Sequence, residues 1–254
     1  MSDSTFHVDL AQMIEQIVGK LSRFFDMTEE MADGIRVLCK DSTEFARGTL
    51  LIEADQPYQK VFLVRQGWAV RYKLLPSGDR QIINFALPGD FLCFNASIFG
   101  TSDHFVAAKT FLQTFAFDIA PFQHMLTSYP AMALAMSWAN AHEEAVLAER
   151  IASLGRRSAR QRMAHLFCEL WRRLQLLGLT EQGAFPLPVT QEDLGDTLGL
   201  SVVHVNRTLR RLSADGLIAR EHGLVRILDM GRLQQVAGFE DGYLHFTELA
   251  ARRR

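Results

Sequence analysis

Residues Val189 to Leu212 read VTQEDLGDTLGLSVVHVNRTLRRL. Thr190, followed by Asp193 three positions later, resembles a capping box and predicts the start of a first helix. Gly199 predicts a turn, and Ser201 predicts the start of a second helix. Two short amphipathic helices joined by a glycine turn have the spacing of a helix-turn-helix.

The second predicted helix has an apolar side and a basic side. At 100° per residue the apolar side gathers Val202, Val205, Leu209 and Leu212. The opposite side carries Val203, His204, Asn206, Arg207, Arg210 and Arg211. Guanidinium groups can fork onto guanine or phosphate and an asparagine amide can bond adenine, so this side suits DNA reading. A solvated basic face on an ordinary helix pair is the alternative.

A hairpin is predicted directly after the second helix. Gly216 ends that helix, and residues 217–228, LIAREHGLVRIL, predict strand, turn and strand. A β-hairpin in this place is a wing, whose basic side chains can meet the phosphate backbone. Phosphate contacts are therefore predicted for the wing and for the start of the first helix, from Arg220, Arg226, Thr190 and Gln191.

The chain from Thr49 to Ile119 shows short apolar runs that are cut by turn residues. The runs are TLLIEA, KVFLVRQ, AVRYKLL, RQIINFAL, HFVAAKT and LQTFAFDI. Gly67, Gly78 and Gly89 stand where tight turns need a positive φ. Short strands at near-regular spacing predict a small antiparallel sandwich or barrel. Upstream of them, Leu21 to Cys39 reads as a helix.

Residues 131–154, AMALAMSWANAHEEAVLAERIASL, predict one long helix. Its apolar residues lie on adjoining stripes, so it needs partners on two sides, the barrel and a second copy of itself. The residues predicted to pair with the second copy are Met136, Ala139, Val146, Leu147 and Leu154. Burial within a monomer is the alternative. Gly155 is expected to interrupt the helix, and Ser158 to cap the next one.

The charge of the chain is unevenly spread. The 254 residues are 48% hydrophobic and 22% charged, as in an ordinary globular protein, with a formal net charge of −2. Residues 1–149 hold 11 Lys and Arg against 18 Asp and Glu, whereas residues 150–254 hold 16 against 11. A basic second half predicts that this half alone meets a polyanion.

Several classes of function are disfavoured by the residues present. Cys39, Cys93 and Cys168 lie far apart without CxxC spacing, which argues against a disulfide framework and a zinc site. A cupin-like metal enzyme needs several histidines in the barrel, where His104 stands alone. The N-terminus lacks the basic head and apolar run of a signal peptide, and no stretch is long enough to span a bilayer. We therefore expect a cytoplasmic protein with no membrane contact, no enzymatic activity, no metal and no cofactor.

A barrel, a long helix and a winged helix-turn-helix together resemble the Crp/Fnr family of bacterial transcription regulators. The resemblance extends from about Leu21 to Gly238 and is carried by PGDF (88–91), LGRRSA (154–159), TQEDLGDTLGLS (190–201) and VNRTL (205–209). It implies an α+β fold with an antiparallel β-roll (a double-stranded, jelly-roll-like barrel), a long dimerisation helix and a winged helix-turn-helix. The implied divisions are an N-terminal extension (1–20), a sensor β-roll (21–127), a dimerisation helix (128–154), a DNA-binding domain (155–240) and a tail (241–254).

The resemblance also implies a function. It indicates a homodimeric regulator of transcription that binds a two-fold symmetric site in double-stranded DNA, with RNA polymerase as a further partner. Arg207 matches the base-reading arginine of the family. Val203 stands where many members have a glutamate that accepts from cytosine, so a different half-site is expected, with Val203 against a thymine methyl.

The sequence of the barrel differs from that of the family members that respond to cyclic AMP. Those members carry a Gly-Glu pair and a later Arg-Ser or Arg-Thr after the PGDF-like turn. Here LCFNASIFG and SDHFVAAKT follow, and no arginine lies between Arg80 and Arg150. A buried cyclic phosphate would lack its charge partner, so cyclic AMP is not the expected effector. The sequence is closer to the oxygen-sensing Fnr-type branch, yet no cysteine precedes Cys39 to build an iron–sulfur cluster within one chain.

The effector is left open by the sequence. The residues assigned to an effector pocket are Phe91, Phe94, Asn95 and His104. The phenylalanines suit a small uncharged effector or plain core packing, and a haem bound through His104 or Cys93 is a further alternative. Two other functions are weighed against a regulator: a cupin-like metal-dependent enzyme, and a ligand-binding module whose helix-turn-helix serves only for packing.

Overall fold

The computed structural model describes Glu29, Asp33, Cys39 and residues 42–246 except residue 222. The N-terminal extension, most of the helix predicted over Leu21 to Cys39 and the end of the C-terminal tail lie outside the described residues. In the described part of the chain, no helix combines the length and the apolar character needed to cross a membrane.

Eight strands form a β-roll of two four-stranded antiparallel sheets. In chain order they are β1 (Ser42–Phe45), β2 (Leu50–Ile52), β3 (Lys60–Gln66), β4 (Ala69–Leu74), β5 (Arg80–Ala86), β6 (Phe91–Leu92), β7 (Phe105–Ala108) and β8 (Leu112–Asp118). One sheet has the order β1-β8-β3-β6 and the other β2-β7-β4-β5. The two sheets share a core that includes Ile52, Val64, Val106 and Leu112. The predicted antiparallel roll is confirmed.

Seven described helices accompany the strands. They are α1 (Ala96–Phe99), α2 (Ile119–Ser128), α3 (Pro130–Arg156), α4 (Ala159–Leu176), α5 (Gln191–Leu198), α6 (Val202–Ala214) and α7 (Met230–Ala237), and a 3-10 helix follows at Asp241–Leu244. The prediction that Gly155 interrupts the long helix is wrong, because α3 runs through it to Arg156. A glycine inside a helix costs about 1 kcal/mol but does not forbid helical φ. Ser158 caps α4 as predicted.

The C-terminal unit is a winged helix-turn-helix. Its sheet has the order β10-β11-β9, with β9 at Ala184–Pro186, β10 at Ile218–Glu221 and β11 at Leu224–Ile227. The predicted wing hairpin is β10 and β11, which pair antiparallel from Ile218 and Ile227. The third strand, β9, was not predicted, since three residues are too few to show an alternating pattern.

The β-roll and the C-terminal unit are packed against each other. One cluster of buried apolar residues includes Trp68 and Phe85 of the roll together with Phe167 of α4 and Val146 of α3. On the far side of the roll, Phe115 and Phe117 of β8 pack with α2 and with the start of α3. The long helix therefore lies between two cores of its own protomer.

Candidate nucleic-acid interface and effector cavity

The helix caps and the glycine turn predicted from the sequence are present in the helix-turn-helix. The Thr190 side chain accepts from the backbone N of Asp193 at 3.1 Å, and the Asp193 carboxylate accepts from the backbone N of Thr190 at 2.7 Å. Gly199 ends α5 in the left-handed conformation, with φ at 62°. A Cβ on Gly195 would lie 2.5 Å from the Leu200 carbonyl oxygen, so the close approach of the turn to α5 requires glycine there.

The apolar side of α6 holds that helix in place. Ser201 caps α6 by accepting from the backbone N of His204 at 3.3 Å. Val205, Leu209 and Leu212 are buried, as their spacing predicted. Val202 was predicted to join them but is the first residue of α6 and is 43% exposed.

The opposite side of α6 is open to solvent. Val203 is 79% exposed, and Arg207, Arg210 and Arg211 are exposed as well. His204 and Asn206 are half-buried at the edges of this face. Within residues 42–246, none of the three arginines forms an ion pair. We call Val203, His204, Asn206, Arg207, Arg210 and Arg211 the reading face.

The residues predicted to contact phosphate differ in their exposure and in their hydrogen bonds within the protein. Thr190 is exposed and Gln191 is half-buried at the N-terminus of α5. Arg220 and Arg226 are both exposed on the wing, and Nη1 of Arg226 also donates to the Gln182 carbonyl at 2.9 Å. Arg220 lies opposite Val225 and Arg226 opposite Ala219 in the hairpin register, so the two arginines project from opposite faces.

A cavity of about 410 Å³ lies between the β-roll and α3. It contains the four predicted effector residues, which the fold brings together. Its wall also includes Arg71 of β4, Asn84 of β5, Asp90, Glu143 of α3 and Arg173 of α4.

The two cations in the cavity wall were missed from the sequence, and each is bonded to acidic groups of the protein. Arg71 is 8% exposed, donates to the Phe91 carbonyl and pairs with Glu143. Its pKa falls to about 10 because burial disfavours the charged form. Arg173 donates to Asp90 Oδ2 at 2.8 Å. Both come from segments outside the barrel turn, so no local motif could have assigned them to this site.

Some buried polar atoms of the cavity wall have no hydrogen-bond partner within the described structure. They are Nε of Arg71, Oδ1 of Asn84 and Nε2 of His104. Nδ1 of His104 lies 2.8 Å from Asp103 Oδ1, and burial lowers the pKa of His104. Orphaned donors and acceptors of this kind are satisfied by water or by a polar ligand.

The cysteines do not behave as thiolates. Burial raises the pKa of each of the three thiols to about 12. A protonated thiol is a poor nucleophile, so the structure does not present any of the three as a reactive thiolate. Among the residues that the structure describes, no three His, Cys, Asp or Glu side chains are grouped to hold a metal ion.

The residues predicted for dimerisation share one side of α3 but differ in burial. Met136 and Val146 are 2% and 3% exposed because they belong to the two cores of their own protomer, so their assignment to a dimer seam is wrong. Ala139, Leu147 and Leu154 are half-buried. The apolar side chains that α3 exposes most are Leu134, at 60%, and Ile151, at 71%.

Comparison with known proteins places this architecture in a family. The model of the cyclic nucleotide-binding domain matches residues 42–129, and that of the Crp-like helix-turn-helix domain matches residues 161–236. The nitrogen fixation regulation protein FixK of Bradyrhizobium diazoefficiens is 33% identical, over 76% of this chain and 80% of its own length. The transcriptional activatory protein AadR of Rhodopseudomonas palustris is 35% identical, over 74% and 77%.

The fold is matched by solved structures. FixK2 from Bradyrhizobium japonicum has a TM-score of 0.72 at 24% identity, covering 79% of this chain and 98% of that one. This likeness confirms the predicted fold class, and the two curated relatives confirm the predicted family. The chain belongs to the Crp/Fnr family of transcriptional regulators, and its C-terminal unit is the helix-turn-helix DNA-binding domain of that family.

Proposed function

We propose that this protein is a homodimeric, sequence-specific regulator whose α6 enters the major groove and whose effector is not cyclic AMP. The observation that carries the proposal is the reading face, whose three arginines are exposed and form no ion pair within the described residues, on a helix that buried leucine and valine hold from behind. An exposed, positioned guanidinium is what base reading needs. We propose a cytoplasmic location, no enzymatic activity, and RNA polymerase as a further partner.

Base reading is assigned to the N-terminal half of α6. Arg207 can fork onto O6 and N7 of a guanine, and Val203 can contact a thymine methyl. Arg210 and Arg211 lie one turn further along, and with Thr190, Gln191 and Arg220 they are assigned to phosphates. Phosphate contacts position the domain, whereas the two base contacts define the half-site.

Dimerisation is assigned to the exposed stripe of α3. Leu134, Ala141 and Ala148 are exposed and recur every seven residues, and Ile151 follows three positions later. This spacing is that of a two-stranded coiled-coil seam. Ile151→Asp should give a folded monomer by light scattering, because the side chain is exposed in the protomer and buried in the dimer. Leu75→Asp, which changes an exposed leucine of the β-roll, should leave the dimer intact; a monomeric wild-type chain at micromolar concentration would contradict the assignment.

The cavity argues against a cyclic phosphate. A buried anion must find a cation or several donors, but Arg71 is paired with Glu143 and Arg173 with Asp90. The unmet Arg71 Nε and Asn84 Oδ1 instead suit an uncharged ligand that carries both an acceptor and a donor. Calorimetric titration of cyclic AMP and cyclic GMP into the purified dimer should show no micromolar binding. Micromolar binding that also raises DNA affinity would overturn this part of the proposal.

The function is tested by selecting DNA from a random-sequence pool with the purified full-length protein. We expect a two-fold symmetric site whose half-sites lie about one helical turn apart. The affinity for that duplex, measured by gel retardation, should fall steeply as the salt concentration rises, because phosphate contacts release counterions. Recovery of no enriched sequence, or of an asymmetric one, would contradict the proposal.

A further inference from the structure

The first helix of the helix-turn-helix, α5, is bonded to the β-roll as well as to α6. Arg80, at the start of β5, donates from Nε to Asp196 Oδ2 at 2.7 Å and from Nη2 to Asp193 Oδ1 at 2.9 Å. Lys109, in the turn between β7 and β8, pairs with the other oxygen of Asp193 at 2.5 Å. Gln81 adds a hydrogen bond from its amide to the Asp196 carbonyl at 2.6 Å. We call Arg80, Lys109, Asp193 and Asp196 the clamp.

The clamp is largely shielded from solvent, and its Asp193 also belongs to the capping box of α5. The Asp193 side chain is 1% exposed, and those of Lys109 and Arg80 are 15% and 29% exposed. Burial alone would raise the pKa of Asp193, but hydrogen bonds from Lys109 and Thr190 outweigh it and lower that pKa. A carboxylate this deeply buried needs its cations, so losing either one disfavours the docked arrangement.

The docked arrangement leaves the DNA-reading surface free. Val203 and the arginines of α6 are exposed while α5 is held by the roll. The covalent connection between the long helix and the C-terminal unit is short, since residues 157 and 158 alone separate α3 from α4. Rotation about that connection would change the separation of the two reading faces in a dimer, and that separation must match the spacing of two half-sites.

We propose that Arg80 and Lys109 are positioning residues for DNA binding. Through Asp193 and Asp196 they hold the helix-turn-helix against the β-roll in the orientation in which both subunits of the dimer engage their half-sites together. This inference rests on the proposed function. Removing these residues should lower the affinity for DNA that carries two half-sites but not for DNA that carries one. A single half-site can be bound by one helix-turn-helix, whatever its distance from the helix-turn-helix of the other subunit.

The test uses two variants that change the net charge in opposite directions. Arg80→Ala removes a positive charge and Asp196→Asn removes a negative one, yet each breaks the same ion pair. Long-range attraction to DNA would make the first variant bind more weakly and the second more tightly. The clamp predicts that both bind the selected two-half-site duplex more weakly, by about tenfold, as simultaneous engagement is lost.

Three comparisons control the measurement. A duplex of equal length with one half-site scrambled should be bound by both variants within about twofold of wild type. Arg47→Ala, which removes an exposed arginine of the roll outside the clamp, should leave both affinities unchanged. Arg80→Lys should fall between wild type and Arg80→Ala, because an ammonium cannot fork onto Asp193 and Asp196 at once.

The results separate this inference from the proposed function. Failure of the wild-type protein to bind any selected duplex would defeat the proposed function, and this inference with it. If the wild type binds, three results overturn the clamp alone: unchanged two-site affinity, shifts of opposite sign in the two variants, or equal losses on both duplexes. Tighter two-site binding by both variants would likewise overturn it, since the docked orientation would then oppose binding.

Discussion

The arginines of α6 are exposed and unpaired within the described residues, whereas two arginines of the interior, Arg71 and Arg150, are buried and paired with carboxylates. Arg207 and Arg210 are exposed and form no ion pair within the described residues. Arg71 and Arg150 are 8% and 7% exposed and are paired with Glu143 and Glu169. A guanidinium paired with a carboxylate inside the protein has its charge compensated there, so it is not available as a free cation for a phosphate.

The comparison corrects the simplest interpretation of the charge asymmetry. The C-terminal half holds 16 basic residues, all of them arginine. Seven described arginines of that half bond to acceptors within the protein, namely Arg150, Arg157, Arg160, Arg162, Arg172, Arg173 and Arg226. The excess of positive charge is therefore divided between internal structure and the reading face, and three predictions test that division.

The largest effect is expected from removing the carboxylate of a paired, buried arginine. Glu169 is 1% exposed and accepts from Arg150 at 3.3 Å and from the Tyr243 hydroxyl at 3.3 Å. Glu169→Ala leaves Arg150 buried without that carboxylate and should lower the free energy of unfolding by about 3–5 kcal/mol, measured by urea denaturation. Glu53→Ala, at an exposed carboxylate, should change it by less than about 0.5 kcal/mol. A loss below about 1 kcal/mol for Glu169→Ala would show that Arg150 does not depend on this pair.

A smaller effect is expected from His165, a buried histidine that is close to Arg150 and Arg157. Burial and the neighbouring Arg157 and Arg150 lower the pKa of His165 to about 4, although Glu149 opposes them. The native state then binds fewer protons than the unfolded state, whose histidine titrates near its ordinary value of about 6.5. The contribution of His165 to stability is therefore complete above about pH 6.5 and is lost as the pH falls towards 4.

The measurement is the free energy of unfolding of wild type and of His165→Gln across that pH range. The wild-type value should fall more steeply than that of the variant, by about 1–3 kcal/mol in total. Parallel curves for the two proteins would show that His165 is protonated alike in the native and unfolded states.

The smallest effect separates the two arginines of the wing. Both are exposed, but Arg226 also donates a hydrogen bond to the Gln182 carbonyl. Arg220→Ala should weaken binding to all DNA sequences about equally and reduce the slope of log affinity against log salt by about 1. Arg226→Ala should leave that slope unchanged. The reverse result would mean that the wing meets DNA through its other face.

The features that could be predicted from sequence are those set by neighbours within about four residues. Ser158, Thr190 with Asp193, and Ser201 all cap helices as expected, because a cap bonds the backbone of its own first turn. Gly199 adopts the left-handed conformation for an equally local reason. These signals were sufficient to locate the helix-turn-helix.

The features that were missed depend on residues distant in sequence. Met136 and Val146 have the spacing of a dimer seam, but which stripe of α3 faces inwards is decided by the β-roll and by α4. Arg71 reaches the cavity from β4 and meets a carboxylate 72 positions later, at Glu143. Periodicity gives the faces of an element but does not say which neighbour covers each one.

Arg207 is proposed to contact a specific base rather than only to attract DNA through its positive charge. The direct test is the affinity of wild type and of Arg207→Ala for the selected duplex and for a random duplex of equal length, at one salt concentration. If Arg207 reads a base, the variant should lose about 1–3 kcal/mol of binding free energy on the selected duplex, tolerate any base pair at one position of each half-site, and lose far less on random DNA. An equal loss on both duplexes, with the preference at every position intact, would contradict it.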